Sequence, residues 1–204
     1  IPRLYMSICA ISFFWTIGWV LIIQFPPLVK NVLTADARVS SLLVAVFSVG
    51  VAIGSVVINA MLKGKVSAKY SPISVIAMAV IVVIFSVEVR LWEPAAAGTL
   101  YDFSSFILQR QGWIVIVTLT AVAITGGMFV VPLYAFLTTT VTKDQTARTV
   151  AANNIVNAGA MVVGSLFVLT LSAAGVSSEN MLLVVAGMCL ISAWIAQKLH
   201  RACD

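Results

Sequence analysis

The chain has 204 residues, of which 61% are hydrophobic and 9% are charged, and its formal net charge is +5. Soluble domains carry about 25% charged residues. Here the charges fall in short clusters between long apolar runs, so the composition excludes an ordinary soluble domain. The basic residues lie in short connections without interleaved aromatic residues, a pattern that argues against nucleic acid as a partner and for membrane topology.

Six apolar segments are long enough to cross a membrane as helices. The hydrocarbon core requires about 20 residues per helix, and a chain in lipid must satisfy its backbone hydrogen bonds internally. Membrane strands would alternate strictly over about 10 residues, which these runs do not. The predicted spans are 4–28, 39–62, 72–89, 113–137, 149–171 and 180–199. The sequence therefore predicts an all-α integral membrane protein with six transmembrane helices in one domain, residues 1–204.

Prolines mark or interrupt three of these spans. We expect Pro26 and Pro27 to break or kink the end of the first span, because neither ring nitrogen can donate a hydrogen bond. Pro72 is placed in the first turn of the third span, where its missing donor costs nothing. Pro132 falls inside the fourth span, where it produces either a packing kink or a hinge.

Lys and Arg are divided unequally between the two sides of the predicted bundle. The side with both termini carries eight: Arg3, Lys63, Lys65, Lys69, Lys143, Arg148, Lys198 and Arg201. The opposite side carries four: Lys30, Arg38, Arg90 and Arg110. Acidic residues, Glu88 among them, lean to this second side. The bias of basic residues towards the cytoplasm therefore predicts that both ends of the chain are cytoplasmic.

Residues 98–111, between the third and fourth spans, have apolar side chains at helical spacing. Leu100, Phe103, Phe106 and Ile107 follow this spacing, with Asp102 and Arg110 near them. The pattern is typical of a short amphipathic helix at the membrane surface. A segment packed on the helix ends as a lid would give the same pattern, and both interpretations stay open.

Catalytic and metal-binding motifs are absent from the sequence. It has no phosphate-binding glycine loop with a lysine, no zinc-binding helix motif and no nucleophile elbow. Away from the end turns of the predicted spans we find no Asp, Glu, His, Lys or Arg, so we expect neither acid–base catalysis nor a proton relay here. With three cysteines and one histidine, we expect no metal, no cofactor and no enzymatic activity.

Amides and tryptophans are the notable side chains within the spans. Asn153 and Asn157 lie four residues apart in the fifth span and share a helix face, so they should point into the bundle or a wet cavity. They are either interhelical hydrogen-bonding groups or cavity lining. In the first span, Trp15 and Trp19 share a face, and Gln24 precedes the double proline. These residues either pack ordinarily or line a substrate path.

Gly50 and Gly54 form a GxxxG motif in the second span. Small residues at this spacing let two helices approach closely. We therefore expect this face of the second span to pack against another helix.

Two stretches resemble a known family. Residues 126–137, GGMFVVPLYAFL, and 147–158, ARTVAANNIVNA, are similar to the tenth and eleventh helices of lysophospholipid transporters in the major facilitator superfamily. The first span, with Phe14-Trp15 and Gln24-Phe25-Pro26-Pro27, resembles the seventh helix of that family. Residues 47–55 resemble its eighth helix. The resemblance is weakest in 92–111 and in the sixth span.

The resemblance implies that the chain is the C-terminal half of a twelve-helix major facilitator fold. The chain also begins at Ile1 in an ongoing apolar pattern, so we expect it to be part of a longer protein that supplies an N-terminal half. Such transporters are multi-pass proteins of the bacterial inner membrane and move lysophospholipids, such as lysophosphatidylethanolamine, to its inner leaflet. Some relatives are fused to acyltransferase and acyl-activating domains, and these motifs look closest to that type.

The residues assigned on this basis fall into two groups. The expected substrate path comprises Trp15, Trp19, Gln24, Tyr134, Asn153 and Asn157. The residues expected to serve packing or hinge motion are Gly50, Gly54, Gly126, Gly127 and Pro132. Two other functions remain open: a general drug or metabolite exporter of the same superfamily, and a non-transporting membrane anchor for a fused acyltransferase.

Overall fold

The computed structural model describes residues 2–67 and 69–203 and is helical throughout its regular structure. The helices are α1 (Pro2–Asn31), α2 (Ala37–Leu62), α3 (Ser71–Arg90), α4 (Phe103–Leu108), α5 (Arg110–Thr139), α6 (Lys143–Ala173) and α7 (Ser178–Cys203). All except α4 are long and apolar enough to span a membrane. The prediction of an all-α chain with six candidate spans is confirmed.

Helix α1 lies at the centre of the bundle. It packs on α2, α5, α6 and α7, while α5 also packs on α2 and α3, and α3 packs on α7. Apolar side chains are fully buried along the whole of α1, from Ile11 through Ile17 and Leu21 to Leu28. A helix that contacts four others buries most of its surface, which explains why α1 is an almost uninterrupted apolar run, although Trp15 and Trp19 on one face stay partly exposed.

Helix α6 is the most peripheral of the six long helices. It packs chiefly on α1, with a smaller contact to α5, and only 17% of its most apolar window is buried. Exposed apolar side chains such as Ile155, Val162 and Val163 cover its outer face. An apolar face of this kind suits contact with lipid or with another helical bundle.

Of the two effects expected at Pro26 and Pro27, a break or a kink, the break does not occur. Helix α1 continues through both prolines to Asn31. Phe25 and Leu28, which flank the pair, are fully buried, so tertiary packing holds this turn although two backbone donors are missing. The backbone after Gln24 is therefore helical and not unwound. Pro132 likewise lies inside a continuous helix, α5.

The segment between α3 and α5 is packed on the helix ends. Its short helix α4 begins after Asp102, whose carboxylate accepts a hydrogen bond of 2.7 Å from the Ser105 backbone N–H. The fully buried Phe106 stacks on Trp92 with ring centroids 5.3 Å apart. Tyr101 joins the segment to the α1–α2 connection through a 2.8 Å hydrogen bond from its backbone N–H to the carbonyl of Thr34. Of the two interpretations left open, the geometry corresponds to the packed one.

One charged side chain in the last turn of a membrane span, Glu88, turns into the bundle. Glu88 lies within α3, two residues before its end at Arg90. Its Oε1 accepts a 2.8 Å hydrogen bond from the Thr118 hydroxyl of α5. The side chain is half-buried because it turns towards α5 instead of outward.

Candidate functional site

A group of hydrogen-bonded side chains joins α1, α5 and α6. It consists of Ser12, Trp15, Tyr134, Asn153 and Asn157, and we call it the polar cluster. The indole N–H of Trp15 donates to the Tyr134 hydroxyl at 2.8 Å, and the amide groups of Asn157 and Asn153 donate to the same oxygen at 3.3 and 3.4 Å. The Ser12 hydroxyl donates to Asn157 Oδ1 at 2.7 Å. Tyr134 is therefore the point at which the three helices meet.

The helical spacing of these residues explains why they converge. Ser12 and Trp15 lie three residues apart and Asn153 and Asn157 four apart, so each pair faces one direction from its helix. Asn153 and Asn157 are buried, as expected for amides in an apolar environment. The neighbouring Asn154, one residue off this face, is exposed.

One acceptor in the polar cluster is unused. Asn153 is fully buried, yet its Oδ1 has no hydrogen-bond partner among the described residues. Leaving a buried polar atom unpaired costs about 1–3 kcal/mol. Asn153 therefore offers a hydrogen-bond acceptor to any donor that reaches the cluster.

An apolar groove lies beside the polar cluster, and we call it the aromatic groove. Its volume is about 310 Å³, and its lining comes from α1, α2, α5 and α6: Phe14, Trp15, Gly18, Trp19, Ile22, Phe47, Val51, Val130 and Met161. Trp15 and Trp19 are partly exposed in it, at 41% and 37%. A methyl group at Gly18 would have no atom within 4 Å, so Gly18 faces open space.

The indole rings of Trp15 and Trp19 are each held by a hydrogen bond from the ring N–H. Trp15 donates to Tyr134, and Trp19 donates to the hydroxyl of Ser165 on α6 at 2.8 Å. Close packing brings α6 near enough, since a methyl group at Gly164 would lie 2.5 Å from Thr16 Cγ2. The apolar ring faces are thus presented to the groove while both N–H groups are satisfied.

The structure brings together five of the six residues assigned to a substrate path. Trp15, Tyr134, Asn153 and Asn157 form the polar cluster with Ser12, and Trp19 lines the aromatic groove. Gln24 is buried, at 4% exposure, but belongs to neither feature. Sequence reasoning missed Ser12, Gly18 and Ser165. The spacing of Ser12 three residues before Trp15 was an available signal for the first of these.

The glycines assigned to packing lie where helices approach closely. A methyl group at Gly50 would lie 2.5 Å from Ala123 Cβ. One at Gly54 would meet the Ile124 carbonyl oxygen, and one at Gly127 the carbonyl oxygen of Val51. These three glycines form the contact between α2 and α5. Gly126 faces the ring of Phe14 on α1, with a Cβ position 3.2 Å from the ring, and Pro132 is buried within α5.

The polar cluster and the aromatic groove are formed by uncharged side chains. Among the described residues that form the polar cluster and line the aromatic groove, none is ionisable at neutral pH. The described part of the chain also contains no group of three His, Cys, Asp or Glu side chains that could hold a metal ion. The site can therefore accommodate apolar surface in the groove and form neutral hydrogen bonds at the cluster.

Comparisons with known proteins give no family. No family model matches the chain, and neither a curated protein nor a solved structure is significantly similar to it. The six long apolar helices make it a multi-pass membrane protein. Its function is inferred below from its residues and their geometry.

Proposed function

We propose that the chain is one half of a membrane transporter that moves lysophospholipids across a bacterial membrane by alternating access. The observation that carries the proposal is the position of the polar cluster directly beside the aromatic groove, with Trp15 belonging to both. A lysophospholipid combines one acyl chain with a polar glycerol and headgroup. The groove suits the acyl chain, and the cluster suits the polar part.

The neutrality of the site favours a zwitterionic substrate over a charged one. A net charge in an apolar environment requires a charged partner, and neither feature provides one among its described residues. The unused Asn153 Oδ1 would accept a hydrogen bond from a hydroxyl or ammonium group of the substrate. Lysophosphatidylethanolamine has both groups and no net charge, so we propose it as a representative substrate.

The exposed apolar faces of the bundle support the proposal that this chain is half of a twelve-helix protein. Val49 and Val56 of α2 are 58% and 70% exposed, and α6 presents a similar apolar surface. The partner would be an N-terminal six-helix half, with the path between the two halves as they rock. In this proposal both ends are cytoplasmic, the membrane is the bacterial inner membrane, and no residue is catalytic.

The proposal is tested on the intact protein that carries this chain, reconstituted in liposomes. Fluorescent lysophosphatidylethanolamine is placed in the outer leaflet, and its movement is followed as loss of accessibility to an external quencher. We expect Asn157→Leu to reduce the rate at least about tenfold, because it leaves the Ser12 and Tyr134 hydroxyls without the amide at a cost of about 1–3 kcal/mol.

Asn154→Leu is the matched control. It removes the neighbouring amide, which is exposed and outside the polar cluster, and should leave the rate unchanged. If the folded wild-type protein moves no lysolipid above protein-free liposomes, the proposal fails. Movement of soluble dyes alone would then indicate an exporter, and movement of neither substrate would indicate a membrane anchor.

A further inference from the structure

A second cavity lies between α3 and α5, away from the polar cluster. Its volume is about 180 Å³, and it is lined by Glu88, Leu91, Trp92, Gln111, Ile114 and Val115. These residues lie in the last turn of α3, directly after it and at the beginning of α5, at the end of the bundle opposite the chain termini. Leu91 is 70% exposed, so the cavity reaches the surface of the bundle.

Two polar atoms in the lining residues of this cavity have no hydrogen-bond partner among the described residues. They are Glu88 Oε2, an acceptor, and Trp92 Nε1, a donor. Trp92 is 93% buried, given its exposure of 7%. One cavity therefore combines an unpaired carboxylate oxygen with an unpaired N–H group, and each is costly to bury alone.

Neighbouring residues fix both groups in place. The other carboxylate oxygen of Glu88 accepts from Thr118 at 2.8 Å. The Trp92 ring stacks on Phe106 and contacts Tyr101 edge-on with centroids 5.9 Å apart. In this packed orientation the indole N–H of Trp92 has no acceptor among the described residues, so an acceptor would have to come from a bound molecule.

The positive charges nearby are directed elsewhere. None of the described residues that line the cavity is basic. The Arg90 guanidinium donates to Asn180 Oδ1 of α7 at 2.6 Å, and Arg110 lines a different cavity together with Trp113. The carboxyl group of Glu88 thus lies in the last turn of a membrane helix without a basic residue among the described residues of the cavity lining.

Along the helix axes, the cavity lies at the depth expected for lipid headgroups. Glu88 lies two residues from the end of α3, about 3 Å along the helix axis. Arg110 begins α5, and the exposed Trp113 follows it, a combination typical of the membrane interface. A ligand entering sideways would come from the headgroup region of the adjacent leaflet.

We propose that this cavity binds the headgroup of a phospholipid that carries a primary ammonium group. The ammonium donates to Glu88 Oε2, a phosphate or ester oxygen of the same lipid accepts from Trp92 Nε1, and the exposed Leu91 and Ile114 contact its acyl chains. A choline headgroup has no N–H to donate, and an anionic headgroup would be repelled by the carboxylate. The inference goes beyond the proposed transport function and requires only that the bundle is embedded in a membrane.

The test is an equilibrium competition on the intact protein that carries this chain. The protein is purified in detergent, given equal amounts of phosphatidylethanolamine and phosphatidylcholine with identical acyl chains, and the retained lipid is counted by native mass spectrometry. We expect the wild type to prefer phosphatidylethanolamine about tenfold, as one charge-assisted hydrogen bond allows. Glu88→Gln should bring the ratio to within about twofold of unity, since it removes the charge.

Two further variants make the result decisive. Trp92→Phe retains the stacking ring but removes the N–H, and should weaken retention of both lipids because both carry the accepting oxygen. Glu93→Gln removes a charge from the neighbouring exposed carboxylate, which does not line the cavity, and should leave the ratio unchanged. Equal retention of both lipids by the wild type overturns the proposal. So does an unchanged ratio in Glu88→Gln or unchanged retention in Trp92→Phe. No transport is measured, so failure of the transport proposal is a separate result.

Discussion

Tyr134 shows how a single hydroxyl can organise a membrane-embedded site. Side-chain N–H groups from α1 and α6 converge on its oxygen. A hydroxyl has two lone pairs and one proton, so three donors exceed what it can accept at full strength. The same polar cluster also contains an acceptor, Asn153 Oδ1, without a donor among the described residues. A hydrogen-bond donor of a bound substrate would pair Asn153 Oδ1. Without a substrate this oxygen stays unpaired.

Gly18 provides a way to block the aromatic groove without disturbing the bundle. Because nothing lies within 4 Å of a methyl group there, we expect Gly18→Leu to fold normally and to fill part of the groove. Lysolipid movement in the liposome assay should fall at least about tenfold, since the acyl chain loses its apolar contacts.

Gly159→Leu is the control for Gly18→Leu. Gly159 also has open space around it and lies on the exposed face of α6, outside the groove. Equal transport by both variants and the wild type would show that the groove does not hold the acyl chain.

At the scale of helices, the contact between α2 and α5 depends on the absence of side chains. A methyl group at Gly54 would collide with backbone atoms of Ile124, which cannot rotate away. We expect Gly54→Ala to destabilise the protein by about 1–3 kcal/mol, as overpacked cores do. A lowered thermal unfolding midpoint of the purified protein in detergent would report this.

Gly159→Ala is the matched substitution for Gly54→Ala, because it adds the same methyl group where nothing is within 4 Å. Alanine favours a helix over glycine by about 1 kcal/mol, so this variant should unfold at the same temperature as the wild type or higher. If Gly54→Ala behaves in the same way, the close approach of α2 and α5 is not required.

The helices were more predictable from the sequence than their meeting points. Long apolar runs define membrane spans because composition decides them locally, and the four-residue spacing of Asn153 and Asn157 already indicates their inward face. The convergence on Tyr134 depends on contacts between residues more than 100 positions apart, such as Trp15 and Tyr134. The sequence contains no local signal for such contacts.

Two features of the structure depart from local preference for the same physical reason. Pro26 and Pro27 lack backbone donors, which predicts a break, but burial of Phe25 and Leu28 on either side outweighs that local cost. Carboxylates near helix ends are usually exposed, but the Glu88 carboxylate accepts a hydrogen bond from Thr118 of α5 and turns inward. In both cases a neighbouring helix overrides a local preference.

At the scale of the whole molecule, the six spans place both chain ends on the same side of the membrane. We propose that this side is the cytoplasmic one, because Lys and Arg are in excess in the connections on the side of the termini. The loop after α2 contains Lys63 and Lys65, and the longer connection before α4 contains Glu93 and Asp102.

Cysteine labelling tests this orientation in a cysteine-free version of the intact protein. Lys65 and Ala97 are both exposed and lie at opposite ends of the bundle. In intact cells, we expect a membrane-impermeant thiol reagent to label Ala97→Cys and not Lys65→Cys, with both labelled after the cells are opened. The reverse pattern would place the termini outside and invert the proposed direction of transport.

The hydrogen bond between Ser12 and Asn157 also bears on how the protein is made. Its partners are 145 residues apart in the chain, and a ribosome needs roughly 7 to 30 s to synthesise that length. Throughout this interval α6 is incomplete, so Ser12 has no Asn157 to which it can donate. During biogenesis, the contacts of the central helix α1 with α6 therefore form only after α6 has been synthesised.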